Sequence, residues 1–229
     1  MENIVVKSNT MKGLFENYKT LLEQRLNHKP LLHIGEDSIR YDFFAALMTT
    51  YDLKPYQIEL EVPQHKDCFV ANQNVNSTRK EKPMIDLVVK NEQISLSVEF
   101  GLFRQNSNET STINKTSRTV KMVNDMLRSS LEAKYNESKG LFICVADNKI
   151  IGHKLRSGHL GVFPSDYIID NEYLLFQSNQ KTNNIDSRFL NSFKPLNQKI
   201  HAKIIYNEQL NARNIINETR VIIWENEIR

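Results

Sequence analysis

Apolar residues recur every three or four positions in two segments near the start of the chain, which is the spacing of one face of an α-helix. In residues 10–27 these positions are Leu14, Tyr18, Leu21, Leu22 and Leu26. In the segment that follows Gly35 they are Ile39, Phe43, Ala46 and Leu47. The pattern predicts two amphipathic helices, the first ending at Pro30 and the second carrying acidic residues in its first turn.

Three strands are predicted next. The stretch "YQIELEVPQ" alternates apolar and polar residues and stops at Pro63. "MIDLVV" and "QISLSVEFGLF" follow, and the three residues between them, 90–92, are so short a connection that we expect an antiparallel hairpin. Residues 64–83 and the stretch "RQNSNETSTIN" are polar and without a period, so both are predicted to be loops.

The later part of the chain adds one helix and three strands. Residues 115–135 return to helical spacing, with a buried face predicted at Val120, Val123, Leu127 and Leu131. A second, solvated face of this helix carries Arg118, Lys121 and Arg128. "GLFICVAD" is continuously apolar, as expected for a central strand covered on both sides, and "HAKIIY" and "TRVIIWENEI" predict two late strands, the second with Trp224 in the core.

The order of these elements predicts an α/β fold, with a mixed central β-sheet flanked by helices, in one domain over residues 1–229. Composition agrees, since 40% hydrophobic and 25% charged residues are ordinary for a soluble globular protein. The net charge of +3 permits binding to nucleic acid but does not require it. Two distant cysteines and the lack of a leader-like or long apolar segment favour a cytoplasmic protein with no membrane partner.

Two acidic residues interrupt the apolar strands of the predicted hairpin. Asp86 lies in "MIDLVV" and Glu99 in "SLSVEF", each among aliphatic residues. A carboxylate in such a place is costly unless it is paired, hydrogen-bonded or bound to a metal ion. A tight hairpin can bring both carboxylates near one point, where Mg²⁺ or Mn²⁺ would find the oxygen ligands that it prefers. A metal ion bound there could acidify a water molecule and neutralise charge on a phosphate.

The pair of acids resembles the PD-(D/E)XK nuclease superfamily, which includes many restriction endonucleases. The resemblance rests on Asp86, twelve intervening residues, and Glu99 at the end of an apolar strand, and it covers about residues 33–147. It implies a restriction endonuclease-like α/β/α core and Mg²⁺- or Mn²⁺-dependent cleavage of DNA, in a restriction or defence setting. Asp86 and Glu99 would bind the metal ion, and Glu36, on the preceding helix, matches the position that often assists them.

The sequence departs from the family at its lysine, because Gly101 stands two residues after Glu99. Arg104, Gln105, Lys115 and Lys121 are the candidates to replace that lysine, and spacing does not choose among them. Lys121 is included with the catalytic residues because the following helix could project it towards the site. If nothing replaces the lysine, the alternative is a catalytically inactive nuclease-fold module that binds nucleic acid or a partner protein.

Basic residues around this site are candidates for binding the phosphate backbone of double-stranded DNA. They are Arg79, Lys80, Lys82, Arg104, Lys115 and Arg118. Solvated surface runs explain the same residues equally well. By analogy with enzymes that cut palindromic sites we expect a homodimer, and residues 177–229 are predicted to hold either its contact or a base-reading surface.

Structural explanations also stay open for the acids. Glu36 could simply stabilise the N-terminus of its helix, through the interaction of its negative charge with the helix dipole. Asp86 could accept hydrogen bonds from the main chain, and a salt bridge to Arg104 or another buried arginine would satisfy Glu99. Glu59 and Glu61 are predicted on the solvated face of their strand, and Glu61 would join the site only if that face lines the cleft.

Overall fold

The computed structural model describes residues 10–65, 68, 84–104, 115–147, 166–169, 200–215 and 218–228. Its helices are α1 (Met11–His28), α2 (Glu36–Tyr51) and α3 (Lys115–Asn136), and short 3₁₀ turns cover Leu31–His33 and Pro55–Gln57. Its strands are β1 (Ile58–Pro63), β2 (Met84–Lys90), β3 (Ser95–Phe103), β4 (Lys139–Asp147), β5 (Asp166–Ile169), β6 (Ile200–Gln209) and β7 (Thr219–Ile228).

The strands form one seven-stranded sheet in the order β1-β2-β3-β4-β7-β6-β5. β3 and β4 run parallel, and the other neighbouring strands are antiparallel. Because parallel neighbours need a crossover connection, α3 lies between β3 and β4 in the chain and packs on both. The predicted mixed α/β sheet is therefore confirmed, as are the antiparallel β2–β3 hairpin and the central position of "GLFICVAD".

Alternate residues of β3 face two different helical layers. Phe100 belongs to the core that α1 and α2 form over one side of the sheet, and its ring centroid lies 5.6 Å from that of Phe43 on α2. Glu99, its neighbour, points to the other side and contacts Arg128 of α3. A strand exposes successive side chains to opposite faces, so the sheet lies between α1 and α2 on one side and α3 on the other.

The late strands β6 and β7 are part of the same sheet. β7 pairs with β4 along its length, and Trp224 of β7 is fully buried, with its ring 5.8 Å from that of Phe142. The predicted core position of Trp224 is confirmed, whereas a role of residues 177–229 in dimerisation or DNA reading stays a prediction. None of the helices in the described segments is long and apolar enough to cross a membrane.

Candidate active site

The sheet divides between β2 and β3. In the described part of the chain, the pairing of these strands runs from Lys90 and Ser95 to Leu87 and Val98. Beyond that point β2 continues beside β1, while β3 continues beside β4 as far as Phe103. The opening between the two strands, which we call the fork, leaves one edge of β3 to be satisfied by side chains.

Acidic and basic side chains take the place of a neighbouring strand along this edge. The Phe100 main-chain N–H donates to Asp86 Oδ2 at 2.8 Å, and the Leu102 N–H donates to Glu36 Oε2 at 3.2 Å. On the same edge, the Phe100 carbonyl accepts a hydrogen bond from Lys121 Nζ at 3.1 Å. Residues from β2, α2 and α3 are thereby fixed around two residues of β3.

Asp86 and Glu99 bring two carboxyl groups together on the α3 side of the sheet. The two groups lie close enough for the charge of Asp86 to act on Glu99, and the Glu99 side chain is fully buried. Burial raises the pKa of Glu99 well above its ordinary value, the charge of Arg128 opposes the shift, and the charge of Asp86 adds to it. Burial likewise raises the pKa of Asp86, and the charge of Glu36 contributes.

This carboxyl pair has the chemistry of a cation site. Glu99 Oε1 is buried and accepts no hydrogen bond from the described residues. Since ionised carboxylates are only acceptors, two placed side by side need a proton or a cation between them. Their oxygens are the hard ligands that Mg²⁺ and Mn²⁺ prefer, so the pair fits such an ion. Within the described segments no three Asp, Glu, His or Cys side chains form a metal-binding group, and Glu36 as a third ligand stays a prediction.

Lys121 reaches the fork from the first half of α3. Its Nζ donates to Asp125 Oδ2 at 2.9 Å and lies 3.3 Å from both carboxylate oxygens of Glu36. Burial lowers the pKa of Lys121, but the charges of Asp125 and Glu36 outweigh burial and raise the pKa above its ordinary value. The side chain is therefore a charged ammonium group held against the edge of β3.

The place where a side chain on residue 101 would lie is filled by two aromatic rings. A Cβ atom on Gly101 would come within 2.9 Å of Cζ of Phe103 and 2.9 Å of Cζ of Phe142, closer than real Cβ atoms approach. A lysine at residue 101 could not enter this space without moving both rings. The amine at the fork is supplied by Lys121 instead.

Two residues of α3 complete the cluster, and the sequence analysis missed their part in it. Arg128 Nη2 donates to Glu99 Oε2 at 2.8 Å and to Asp125 Oδ1 at 2.7 Å. Asp125 is buried and contacts Lys121 through its other oxygen. The prediction of a solvated face was wrong for Arg128, which turns inwards to the buried Glu99. Lys121 is partly exposed, but its ammonium group also turns inwards, to Asp125 and Glu36. The spacing of Lys121 and Arg128 from Asp125, four and three residues, was the available signal.

Arg40 of α2 is a second buried cation that the sequence did not reveal. Its Nη1 lies 3.5 Å from Asp86 Oδ1 and also contacts Glu61, and its Nη2 contacts Asp37. Glu61 itself is exposed, as predicted for the solvated face of β1. Within the described residues, the contact that connects Glu61 to the site is therefore the one with Arg40.

The remaining predicted residues lie elsewhere in the fold or outside the described residues. Arg104 does not contact Glu99, and donates instead to the main-chain carbonyls of Leu31, at 2.8 Å, and Ile34. Lys115 and Arg118 belong to α3, but their side chains are outside the described part. The predicted loop residues Arg79, Lys80, Lys82 and Gln105 are outside the described residues.

Comparison with known proteins adds no assignment to this geometry. No protein-family model, no curated protein and no solved structure matches the chain significantly. The chemical properties of the site must therefore be judged from its own residues: a carboxyl pair able to hold a divalent cation, beside a fixed ammonium group.

Proposed function

We propose that the protein is a Mg²⁺- or Mn²⁺-dependent endonuclease that cleaves phosphodiester bonds of DNA, of the PD-(D/E)XK type. The observation that carries the proposal is the fork, where Asp86, Glu99, Glu36 and Lys121 meet at the unpaired edge of β3. In this proposal Asp86 and Glu99 hold the metal ion and Glu36 assists them. A bound divalent ion supplies charge neutralisation for the phosphate and a more acidic water molecule.

Lys121 has the properties that the missing strand lysine would need. Three kinds of oxygen hold its ammonium group, from Glu36, Asp125 and the Phe100 carbonyl. A cation fixed in this way needs no reorganisation to donate a hydrogen bond to a non-bridging phosphate oxygen or to an attacking water molecule. Its side chain is 37% exposed, so a substrate can reach it.

The substrate and assembly complete the proposal. A metal site built from two acids beside a lysine suits a phosphodiester. The basic residues singled out from the sequence, Arg79, Lys80, Lys82, Lys115 and Arg118, would bind the phosphate backbone of double-stranded DNA. Cutting of both strands would require two copies of the site, which a homodimer provides. A restriction or defence role would follow from the same resemblance.

The proposed activity is tested by cleavage of mixed DNA substrates with Mg²⁺ or Mn²⁺. The wild type is compared with Asp86→Asn, and with Glu59→Gln, which removes an exposed carboxylate from the neighbouring strand. We expect metal-dependent cutting by the wild type and Glu59→Gln, and a loss of about a hundredfold or more in Asp86→Asn. Equal cutting by all three proteins would mean a contaminating nuclease or a different site.

An inactive nuclease-fold module is the second candidate, and the ion pairs favour it. Arg128 already neutralises Glu99 and Lys121 already pairs with Glu36, two carboxylates that a nuclease would offer to a metal ion. In that case DNA binding would persist with neither Mg²⁺ nor Mn²⁺ producing cleavage, and it would be the same in the wild type and in Asp86→Asn. DNA binding is measured in chelator and in metal alongside the cleavage assay.

A further inference from the structure

Arg128 is held in the site by an incomplete set of contacts. Within the described part of the chain, its side-chain hydrogen bonds to Glu99 and Asp125 both come from the single nitrogen Nη2. Its Nε is buried and has no acceptor among the described residues. An arginine–carboxylate pair is strongest when two guanidinium nitrogens bind the two oxygens in parallel. This pair lacks that geometry. Replacing Arg128 at Glu99 by another cation therefore costs less free energy than replacing an arginine that binds both carboxylate oxygens.

Arg128 already supplies the positive charge beside Glu99, through an ion pair that spans 2.8 Å. The wider cluster stays acidic, because six carboxylates, those of Glu36, Asp37, Glu61, Asp86, Glu99 and Asp125, face the three cations Lys121, Arg128 and Arg40. A divalent ion bound at Glu99 would lie close to the Arg128 guanidinium, and two cations that close repel each other strongly where water is largely excluded. Tight binding of the ion at Glu99 is therefore favoured when Arg128 moves away.

Of the three cations, Arg128 is the one in contact with Glu99. Lys121 contacts Glu36 and Asp125, and Arg40 lies 3.5 Å from Asp86 while also contacting two other carboxylates. Glu99 is fully buried, and its ion pair with Arg128 spans 2.8 Å. The cation that competes most directly for the Glu99 carboxylate is therefore Arg128.

We propose that Arg128 is an internal counter-ion that competes with the divalent metal ion for Glu99 and thereby sets the metal affinity of the site. The inference rests on the metal site of the proposed function, and it adds a residue that controls whether that site is filled. Arg128 is a positioning residue in this role, since it acts through Glu99. Where Arg128 stays in place, Glu99 is neutralised internally; where it swings away, Glu99 is free to bind the metal ion.

The experiment measures binding of Mn²⁺ alone, without DNA, by electron paramagnetic resonance of the free ion. The variants are Arg128→Met, which has similar length and no charge, and Arg128→Gln, which keeps a hydrogen-bond donor beside Glu99. Lys139→Met is the matched control, because it removes one positive charge from an exposed ion pair with Glu225 at the start of β4. Glu99→Gln combined with Arg128→Met shows whether the ion measured is bound at Glu99.

We expect Mn²⁺ to bind both Arg128 variants about tenfold more tightly than it binds the wild type. The reason is that the repulsion between a unit positive charge and a divalent ion a few ångströms away exceeds thermal energy at a protein's effective dielectric constant, and both variants lack that charge. Lys139→Met should bind as the wild type does, and the gain should vanish in the double variant. The thermal unfolding midpoint, measured with and without Mn²⁺, checks folding and should rise more with Mn²⁺ in the Arg128 variants than in the wild type.

The outcomes separate this inference from the proposed function. Mn²⁺ binding by the wild type that is unchanged or weaker in both Arg128 variants overturns the inference and leaves the nuclease proposal standing. Binding only in the variants supports the inference and makes the wild-type protein the inactive module. Binding in none of them overturns both, and a gain that survives the Glu99→Gln substitution overturns the inference, because the ion is then bound away from Glu99.

Discussion

Replacing Asp86 by asparagine is expected to make the protein more stable while it abolishes the proposed activity. Asp86 accepts a hydrogen bond from the Phe100 N–H at 2.8 Å, and the oxygen of an asparagine can accept the same bond. The new amide group can also donate to the Glu99 carboxylate, which has a buried oxygen without a donor among the described residues. The substitution removes a negative charge from beside two other carboxylates and keeps the shape of the side chain.

The size of the effect follows from the electrostatic interactions that the substitution changes. It removes the 3.5 Å ion pair with Arg40, whose other carboxylate partners, Asp37 and Glu61, still neutralise the guanidinium. The loss should therefore be about 1 kcal/mol rather than the several kcal/mol of a buried charge left unpaired. Two like charges about 4 Å apart repel by about 4 kcal/mol at an effective dielectric constant of about 20. Arg128 and proton uptake by the pair relieve much of this repulsion. We therefore expect a net increase in the free energy of unfolding of about 1 to 2 kcal/mol, or about 2 to 8 °C in Tm.

The pH dependence has a defined sign. Burial, above all, raises the pKa of Asp86 in the folded protein, so the folded state binds this proton more tightly than the unfolded state does. The wild type therefore loses stability as pH rises from the ordinary aspartate value, about 4, through the raised value. The advantage of Asp86→Asn should be complete above the raised pKa and should shrink as pH falls towards about 4.

Urea unfolding in the presence of a chelator measures this effect, at about pH 7.5 and about pH 4.5. Glu59→Gln is the control, because Glu59 is exposed on β1 and its substitution should leave stability unchanged at both pH values. A decrease in the stability of Asp86→Asn at neutral pH would refute the reasoning. Asp86 would then be a structural residue whose charge Arg40 requires.

Three further predictions concern other parts of the molecule. Gly101→Ala should lower the free energy of unfolding by about 1 to 3 kcal/mol in urea titrations, because its Cβ would lie 2.9 Å from two phenylalanine rings; an unchanged value would show that the rings move freely. Lys121→Met should reduce single-turnover DNA cleavage about a hundredfold or more and leave DNA binding intact, whereas unchanged cleavage would exclude Lys121 as the replacement lysine. Asp42→Ala breaks the two 2.6 Å hydrogen bonds from Arg25 that join α1 to α2. It should therefore destabilise the protein by about 1 to 3 kcal/mol in thermal unfolding and leave Mn²⁺ binding unchanged. Retained stability would mean that the Arg25–Asp42 pair is dispensable.

Local patterns were sufficient to predict most of the described elements. Helical spacing identified the buried face of α2, where Ile39, Phe43, Ala46 and Leu47 are all buried. The short link after Lys90 predicted the hairpin, because so few residues can join only antiparallel neighbours. Asp86 and Glu99 were also recognisable from sequence, since a carboxylate within an apolar strand must have a partner. Each of these inferences depends on residues that are close together in the chain.

The composition of the site depended on the tertiary structure. Periodicity shows that Lys121 and Arg128 share one side of α3 with Asp125, but the rotation of the helix about its axis decides whether that side meets water or Glu99. Arg40 meets Asp86 only because α2 packs on the sheet at β3 and brings this side chain within 3.5 Å of Asp86 on the neighbouring strand.

By itself the sequence determined the helices, six of the seven strands, and which two strand acids needed partners, because these depend on local spacing and on the cost of burying charge. It did not indicate β5. Only the tertiary structure decided what satisfies the two acids. The pairing of β2 with β3 ends at Leu87 and Val98. Beyond this pair, side chains from α2 and α3 form hydrogen bonds with the edge of β3 that faces the fork. The packing of the Phe103 and Phe142 rings fills the space beside residue 101, whereas α3 brings the Lys121 amine to the edge of β3. Such contacts depend on how distant elements pack, which no local pattern encodes.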